Sequence, residues 1–236
     1  MITPQFGLIA ATVAIAAVVQ GTIGIGFALI VAPVLGFLRP ELLPVSLLLL
    51  MLPLNLFTVL REHQAFDWGG AGWITLGRAF GTLAGAGVLA ALSSHALNLL
   101  IGAATIAAAA MTMVVPAFSP KRSAFVTVGL LTGISETATG IGGPPLALAY
   151  QHHRPEVLRS TVAGCFLLGE LLSVGVLGVI GRTTTQQVLS AALLLPFLAV
   201  GGLVSSFIRH SLNGRLLRGF VLIFAITSAV VLILRG

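Results

Sequence analysis

Apolar stretches follow one another along nearly the whole chain, and most of its charged residues sit in or beside the short gaps between them. The stretches lie at about 6–20, 25–38, 42–60, 70–92, 97–115, 123–139, 144–151, 160–180, 188–207 and 219–234. The gaps are brief: Arg61-Glu62-His63-Gln64, Ser119-Pro120-Lys121-Arg122, His152-His153-Arg154-Pro155-Glu156 and Arg209-His210. Such a pattern belongs in lipid, where each backbone N–H and C=O must find its partner within the protein, so the stretches are predicted to be helices. A transmembrane β-barrel would alternate polar and apolar residues, and this chain does not.

Composition closes other routes. Charged residues make up 8% of the 236 positions and hydrophobic ones 57%, whereas a soluble domain carries about 25% charge. An ordinary soluble enzyme, a disordered tail and a coiled coil are excluded. The net charge of +6 comes from twelve basic residues with no run among them, so nucleic acid is not an expected partner. The segment Met1–Gln20 has no Lys or Arg and lacks the basic start of a secretory signal, so it is read as a retained first helix. Cys165 is the single cysteine, which leaves no internal disulfide.

The two halves resemble each other at an offset of 115 or 116. Gly24-Ile25-Gly26 recurs as Gly140-Ile141-Gly142, Arg39-Pro40-Glu41 as Arg154-Pro155-Glu156, and His95 with Leu97-Asn98 as His210 with Leu212-Asn213. Three matches in one order at nearly one spacing indicate a duplication, with repeats at 1–118 and 119–236 and a seam near 116–122. Duplicated halves are a transporter pattern. An odd number of crossings per half puts Arg39, Arg182 and Arg235 on one side. Arg61, Lys121, Arg122, Arg154, Arg159, Arg209, Arg215 and Arg218 then share the other, three against eight. Four crossings per half would split them six to five. The positive-inside rule favours the first arrangement, which is inverted repeats with both termini outside the cytoplasm. Within that scheme the first two segments of each half either cross or form a re-entrant pair. Fifteen and fourteen residues reach only about 21–23 Å against a hydrocarbon core of about 30 Å, which favours half-helices meeting inside the membrane.

The glycine-rich turns are the first candidate site. Thr139-Gly140-Ile141-Gly142-Gly143-Pro144-Pro145 predicts a helix beginning near Pro144, with free amides just before it. Gly21-Thr22-Ile23-Gly24-Ile25-Gly26-Phe27 is its counterpart. Two helix N-termini at mid-membrane would offer positive dipole ends to an anion. The competing role is close helix packing through small residues. Polar residues inside spans add to the site. Gln20 and Glu136 are equivalent at offset 116, and Asn55 and Glu170 at offset 115. Gln20 and Asn55 are expected to donate to anionic oxygens, and Glu136 and Glu170 to carry protons. Their structural alternative is helix capping or pairing with Arg78. Hydroxyls of Thr22, Ser135, Thr137 and Thr139 either join the site or bond back to their own helices. Arg78 is the basic residue well inside a span. Its planar fork suits an oxyanion, and its alternative is a salt bridge. Trp68 and Trp73 are expected at a membrane interface. No zinc-protease or serine-hydrolase motif is present, and His152-His153 reads as a loop, so neither catalysis nor a metal or cofactor is expected.

These turns, with Pro33 after Gly24-Ile25-Gly26-Phe27 and above all Gly140-Ile141-Gly142-Gly143-Pro144-Pro145, resemble the sulfite exporter TauE/SafE family over nearly the whole chain. The resemblance implies a bacterial inner-membrane permease for sulfite, thiosulfate, sulfonates or other small anions. It implies substrate contact at Gly24, Gly26, Gly140, Gly142, Gly143 and Pro144. The first half departs from the pattern, with Phe27-Ala28 where the second has Gly143-Pro144. Arg78 and Glu170 are candidates on physical grounds alone. The expectation is therefore an all-α polytopic bundle of two inverted repeats moving a small anion by alternating access, with proton coupling through Glu136 or Glu170. Membrane lipid and a second copy of the chain are the other expected partners. An anion channel of the same architecture and a non-transporting membrane scaffold are the rival classes.

Overall fold

A computed structural model describes residues 4–114, 120–208 and 214–235. Among the described residues there are ten α-helices and no strand. They are α1 (Pro4–Ile23), α2 (Phe27–Leu38), α3 (Val45–Glu62), α4 (Trp68–Ala91), α5 (Ser94–Val114), α6 (Arg122–Thr139), α7 (Gly143–Tyr150), α8 (Pro155–Val179), α9 (Thr185–Ile208) and α10 (Gly214–Arg235). Each apolar stretch of the sequence becomes one of them. Most of the expected seam, at 115–119, and the loop carrying His210, Leu212 and Asn213 lie outside the described residues.

Local chemistry sets several boundaries. Asp67 opens α4 as its N-cap, its carboxylate accepting from the amides of Gly69 and Gly70 at 3.1 Å. Pro155 opens α8, where a missing N–H is harmless. Gly140 ends α6 in the left-handed region at φ 81°, and its amide donates to the Glu136 carbonyl at 2.7 Å. Among the described residues six helices, α1, α3, α4, α8, α9 and α10, are long and apolar enough to cross a membrane. The chain is a multi-pass membrane protein.

Helices α3 and α8 form the central pair and run antiparallel: Leu48 packs near Leu177, Asn55 meets Glu170, and Glu62 meets Arg159. Helix α4 lies on α8 and α6, while α9 lies on α3 and α1. Helices α5 and α10 pair with each other and close the bundle behind α2 and α7. Exchanging α1–α5 with α6–α10 in order maps each of these principal interfaces onto another or onto itself.

Helices α1 and α2 form a hairpin, because Leu8 at the start of α1 shares a groove with Phe37 and Leu38 at the end of α2. Helices α6 and α7 form another: the rings of Phe125 and Tyr150 are 5.7 Å apart, so the chain returns to the face from which it entered. The second hairpin opens on the face of Asp67, to which the Tyr150 hydroxyl donates at 2.9 Å. The first opens on the face where Ser46 donates to the Gln187 carbonyl at 2.9 Å. The hairpins thus enter from opposite faces. Helix lengths correct one sequence argument. α1 has twenty residues, about 30 Å, enough to reach across the core. The break after α1 comes from the glycine turn, not from a shortage of residues.

The closest helix contact is α4 with α6. Gly77, Gly81 and Gly85 on α4 face the α6 backbone, and Gly129 and Gly133 answer from α6. A Cβ at Gly81 would overlap the Leu130 carbonyl oxygen. Small side chains let two backbones touch in lipid, where apolar burial gives no extra drive. That approach carries Arg78 of α4 to Glu136 of α6.

Candidate functional site

A polar network lies at the level where the central helices cross. Asn55 of α3 donates to Glu170 Oε1 of α8 at 2.7 Å. Gln20 of α1 donates to Asn55 Oδ1 at 3.1 Å, and its own Oε1 accepts from the Phe27 amide, the first of α2, at 3.1 Å. On the other flank the Arg78 guanidinium forms a salt bridge to Glu136 through Nη2. All five side chains are buried, and Arg78, Glu136 and Glu170 are 0% exposed. The structure is closed at this site towards both faces.

The sequence-equivalent pairs take up different positions. Asn55 and Glu170 touch each other where α3 and α8 cross. Gln20 and Glu136 stand apart, one engaging the amide of a broken helix and the other a cation. Arg78 has no basic counterpart, for the aligned positions are Leu193 and Leu194. Its room comes from Gly169, where a Cβ would overlap the guanidinium. Phe166 adds a ring face 5.5 Å from the Arg78 Cζ. Sequence reasoning missed Gly169 and Phe166. The signal was the broken symmetry at Gly169-Glu170, whose equivalent is Leu54-Asn55.

The network is incompletely satisfied. Arg78 Nε and Nη1, Glu136 Oε1, Glu170 Oε2, and the hydroxyls of Thr82 and Thr132 have no hydrogen-bond partner among the described residues. Thr82 lies one turn beyond Arg78 on α4, and Thr132 one turn before Glu136 on α6. Native proteins leave few such groups, because each costs about 1–3 kcal/mol when buried alone, and more when charged. Here they are concentrated beside a buried arginine.

Several expected contacts are arranged differently. Arg78 is held by Glu136, so the salt bridge foreseen as its alternative is present. The Thr22 hydroxyl donates to the Val18 carbonyl, and that of Thr139 to the Ser135 carbonyl, at 2.8 and 2.7 Å. Both thereby serve their own helices, and Thr139 also accepts the Ile141 amide at 3.2 Å. Ser135 likewise donates to the Thr132 carbonyl, whereas Thr137 reaches Ser173 on α8 at 2.7 Å. Gly24 and Gly26 have φ of 85° and 118° and need glycine. Gly142 does not, at φ −133°; a Cβ there would press on Glu136 and Thr132 at 2.9 Å, so space is its reason. Gly143 meets nothing nearer than Phe166 at 4.0 Å, and Pro144 sits in the first turn of α7.

The two turns do not face each other across one pocket. Gly24 packs on Leu158 and Arg159 at the start of α8, and Gly140 on Leu47 at the start of α3. Since α3 and α8 are antiparallel, these turns overshoot towards opposite faces. The helix starts behind them are what approach the network, Phe27 through Gln20 and Gly143 through Phe166. Near the face where the second hairpin opens, the first turn is fastened by side chains that sequence reasoning had assigned only to a loop. Arg61 donates to the Gly21 carbonyl at 3.3 Å, and Arg159 Nε to both oxygens of Glu62 at 2.9 and 3.1 Å.

Six helices long and apolar enough to cross a membrane, two hairpins and a fully buried charged cluster define a polytopic membrane protein. The family model for the sulfite exporter TauE/SafE matches residues 9–232, and the chain belongs to that family, one of permeases and not of enzymes. No curated protein and no solved structure matches the chain.

Proposed function

We propose that the protein is a secondary transporter of small sulfur-containing oxyanions, such as sulfite, thiosulfate or a sulfonate, across the bacterial inner membrane. One observation carries this reading. In a chain of the sulfite exporter family, a fully buried arginine keeps two donor nitrogens without protein partners at the crossing of the central helices. A guanidinium edge is shaped for two oxygens of one anion, and Nε and Nη1 each form such an edge with Nη2, the nitrogen that Glu136 holds. Gln20 and Asn55 line the far side of the network, and the starts of α2 and α7 add dipole ends. Glu136 and Glu170 are the groups able to carry a proton.

The halves act as inverted repeats related about the α3–α8 crossing. Support comes from the exchange of helix interfaces, the antiparallel central pair and the hairpins that enter from opposite faces. Alternating access then opens the site to one face at a time, with the hairpin turns as the moving parts. Arg61, Arg122, Arg154 and Arg159 belong to the cytoplasmic face, and Arg39 and Arg182 to the periplasmic face with both termini.

The test is uptake by proteoliposomes containing the purified chain, offered sulfite, thiosulfate, sulfoacetate and sulfate in turn. Saturable movement of at least one sulfur anion that Arg78→Gln abolishes is expected. Movement of none, or equal movement by the variant, would contradict the assignment.

A further inference from the structure

We infer that Glu136 is a built-in substitute for the transported anion: it occupies Arg78 when the carrier is empty and leaves, taking a proton, when the anion arrives. This rests on the transporter reading above and deepens it by giving one carboxylate two alternating states.

Charge balance leads there. Arg78 and Glu136 are both fully buried, and Glu136 is the one carboxylate within ion-pair distance of Arg78 among the described residues. The Arg78–Glu136 pair is therefore internally neutral, which keeps down the desolvation cost of holding it inside the membrane. An incoming anion competes for the same guanidinium. Once it binds, a Glu136 carboxylate left behind would be a buried charge with no cation. A proton on Glu136, taken from the water that enters with the anion, removes that charge: one O–H bond forms at the carboxylate, Arg78 stays charged, and for a singly charged anion such as hydrogensulfite or a sulfonate the net charge of the pair is unchanged. The displaced side chain has places to go. Its own Oε1 and the hydroxyl of Thr132, one turn away, lack partners, and Gly142 keeps a side chain from filling the space beside it. The anion takes over Arg78 Nη2, which Glu136 vacates, together with a neighbouring unpartnered nitrogen, Nε or Nη1, and the Thr82 hydroxyl one turn along α4. Gly169 and Phe166 hold the guanidinium in place during the exchange of partners. Glu170 stays outside this exchange, tied to Asn55.

Two consequences separate this role from a structural salt bridge. Without the carboxylate, the empty carrier holds an uncompensated cation and cannot return, whereas the loaded carrier still can. An anion also binds more easily when nothing must be displaced. The experiment uses proteoliposomes and detergent-purified full chain with radiolabelled sulfite. For Glu136→Gln, net uptake into sulfite-free vesicles is expected to fall at least about tenfold. Sulfite-for-sulfite exchange stays within about twofold of wild type, and sulfite binding tightens at least about threefold. Parallel loss of net uptake and exchange, no change in either, or weaker binding would overturn the inference. In each case wild-type transport in the same vesicles would leave the transporter reading standing; failure of the wild type would reject that reading instead. Should Glu136→Gln not fold, Glu136→Asp keeps the charge one methylene short of Arg78. Tighter sulfite binding by the folded aspartate variant supports the substitute role, and unchanged or weaker binding overturns it.

Discussion

Removing the charges of Arg78 and Glu136 one at a time and then together separates their contribution to folding from their contribution to transport. Both side chains are 0% exposed and joined by a salt bridge. Breaking a buried pair from one side costs about 3–5 kcal/mol, because the surviving charge has lost its partner. Replacing both by apolar groups of similar volume is often neutral or stabilising. Arg78→Met strands Glu136 and also removes the cation nearest Glu170, so it should be the most damaging of the set. Glu136→Met strands the guanidinium, with the Phe166 ring as partial relief of about 0.5–2 kcal/mol. The double variant removes both strandings. It should unfold within about 1 kcal/mol of wild type, so the coupling energy in the cycle reaches at least about 2 kcal/mol. Thermal or urea unfolding of the purified chain in detergent measures this. Vesicle uptake of sulfite by the same double variant should be lost entirely. A double variant as unstable as Arg78→Met would refute the pairing argument, and one that still transports would remove Arg78 from the anion site.

Other perturbations probe neighbouring parts of the account. Gly169→Ala places a methyl on the guanidinium; overpacking should cost about 1–3 kcal/mol, and sulfite affinity should drop at least about tenfold as Arg78 is pushed aside, read by melting temperature and binding together. Gly81→Ala sets a methyl against a carbonyl oxygen of α6, which cannot swing away, so about 1–3 kcal/mol of stability should be lost with little change in affinity for the molecules that remain folded. If protons accompany the anion, Glu136→Gln and Glu170→Gln measured across pH should alter the rate profile of wild type; profiles that coincide with it in both variants exclude both residues. Arg159→Gln leaves Glu62 to Arg61 alone and loosens the clasp on the Gly21–Gly24 turn, and labelling of a cysteine placed at Ile23 by a membrane-impermeant reagent should rise from the arginine-rich face only.

The fold was readable because lipid leaves the backbone few options. Apolar stretches separated by Arg, Pro and Gly had to be helices, and all ten are present. Helix ends were harder: α1 runs to Ile23, three residues beyond the predicted end, because Gly21 reads as the start of the turn although the chain stays helical through it and Thr22. The polar members of the site were legible by their cost, since Gln20, Asn55, Arg78, Glu136 and Glu170 stand out against apolar neighbours. Which of them touch was not legible. Asn55 and Glu170 are 115 residues apart, and their contact follows from the α3–α8 crossing. The hydroxyls misled for a related reason: a threonine within a helix can reach its own carbonyl four residues back, and Thr22 and Thr139 do. Gly169 was invisible because a glycine that makes room for a neighbour looks like any other small residue until that neighbour is placed.

Counterflow reports most directly on a carrier with its anion held at Arg78. Vesicles containing the purified chain are loaded with unlabelled sulfite and diluted into labelled sulfite. Wild type should accumulate label transiently above equilibrium, and Arg78→Gln should not. Label that only equilibrates, together with a steady current in planar bilayers, would contradict it.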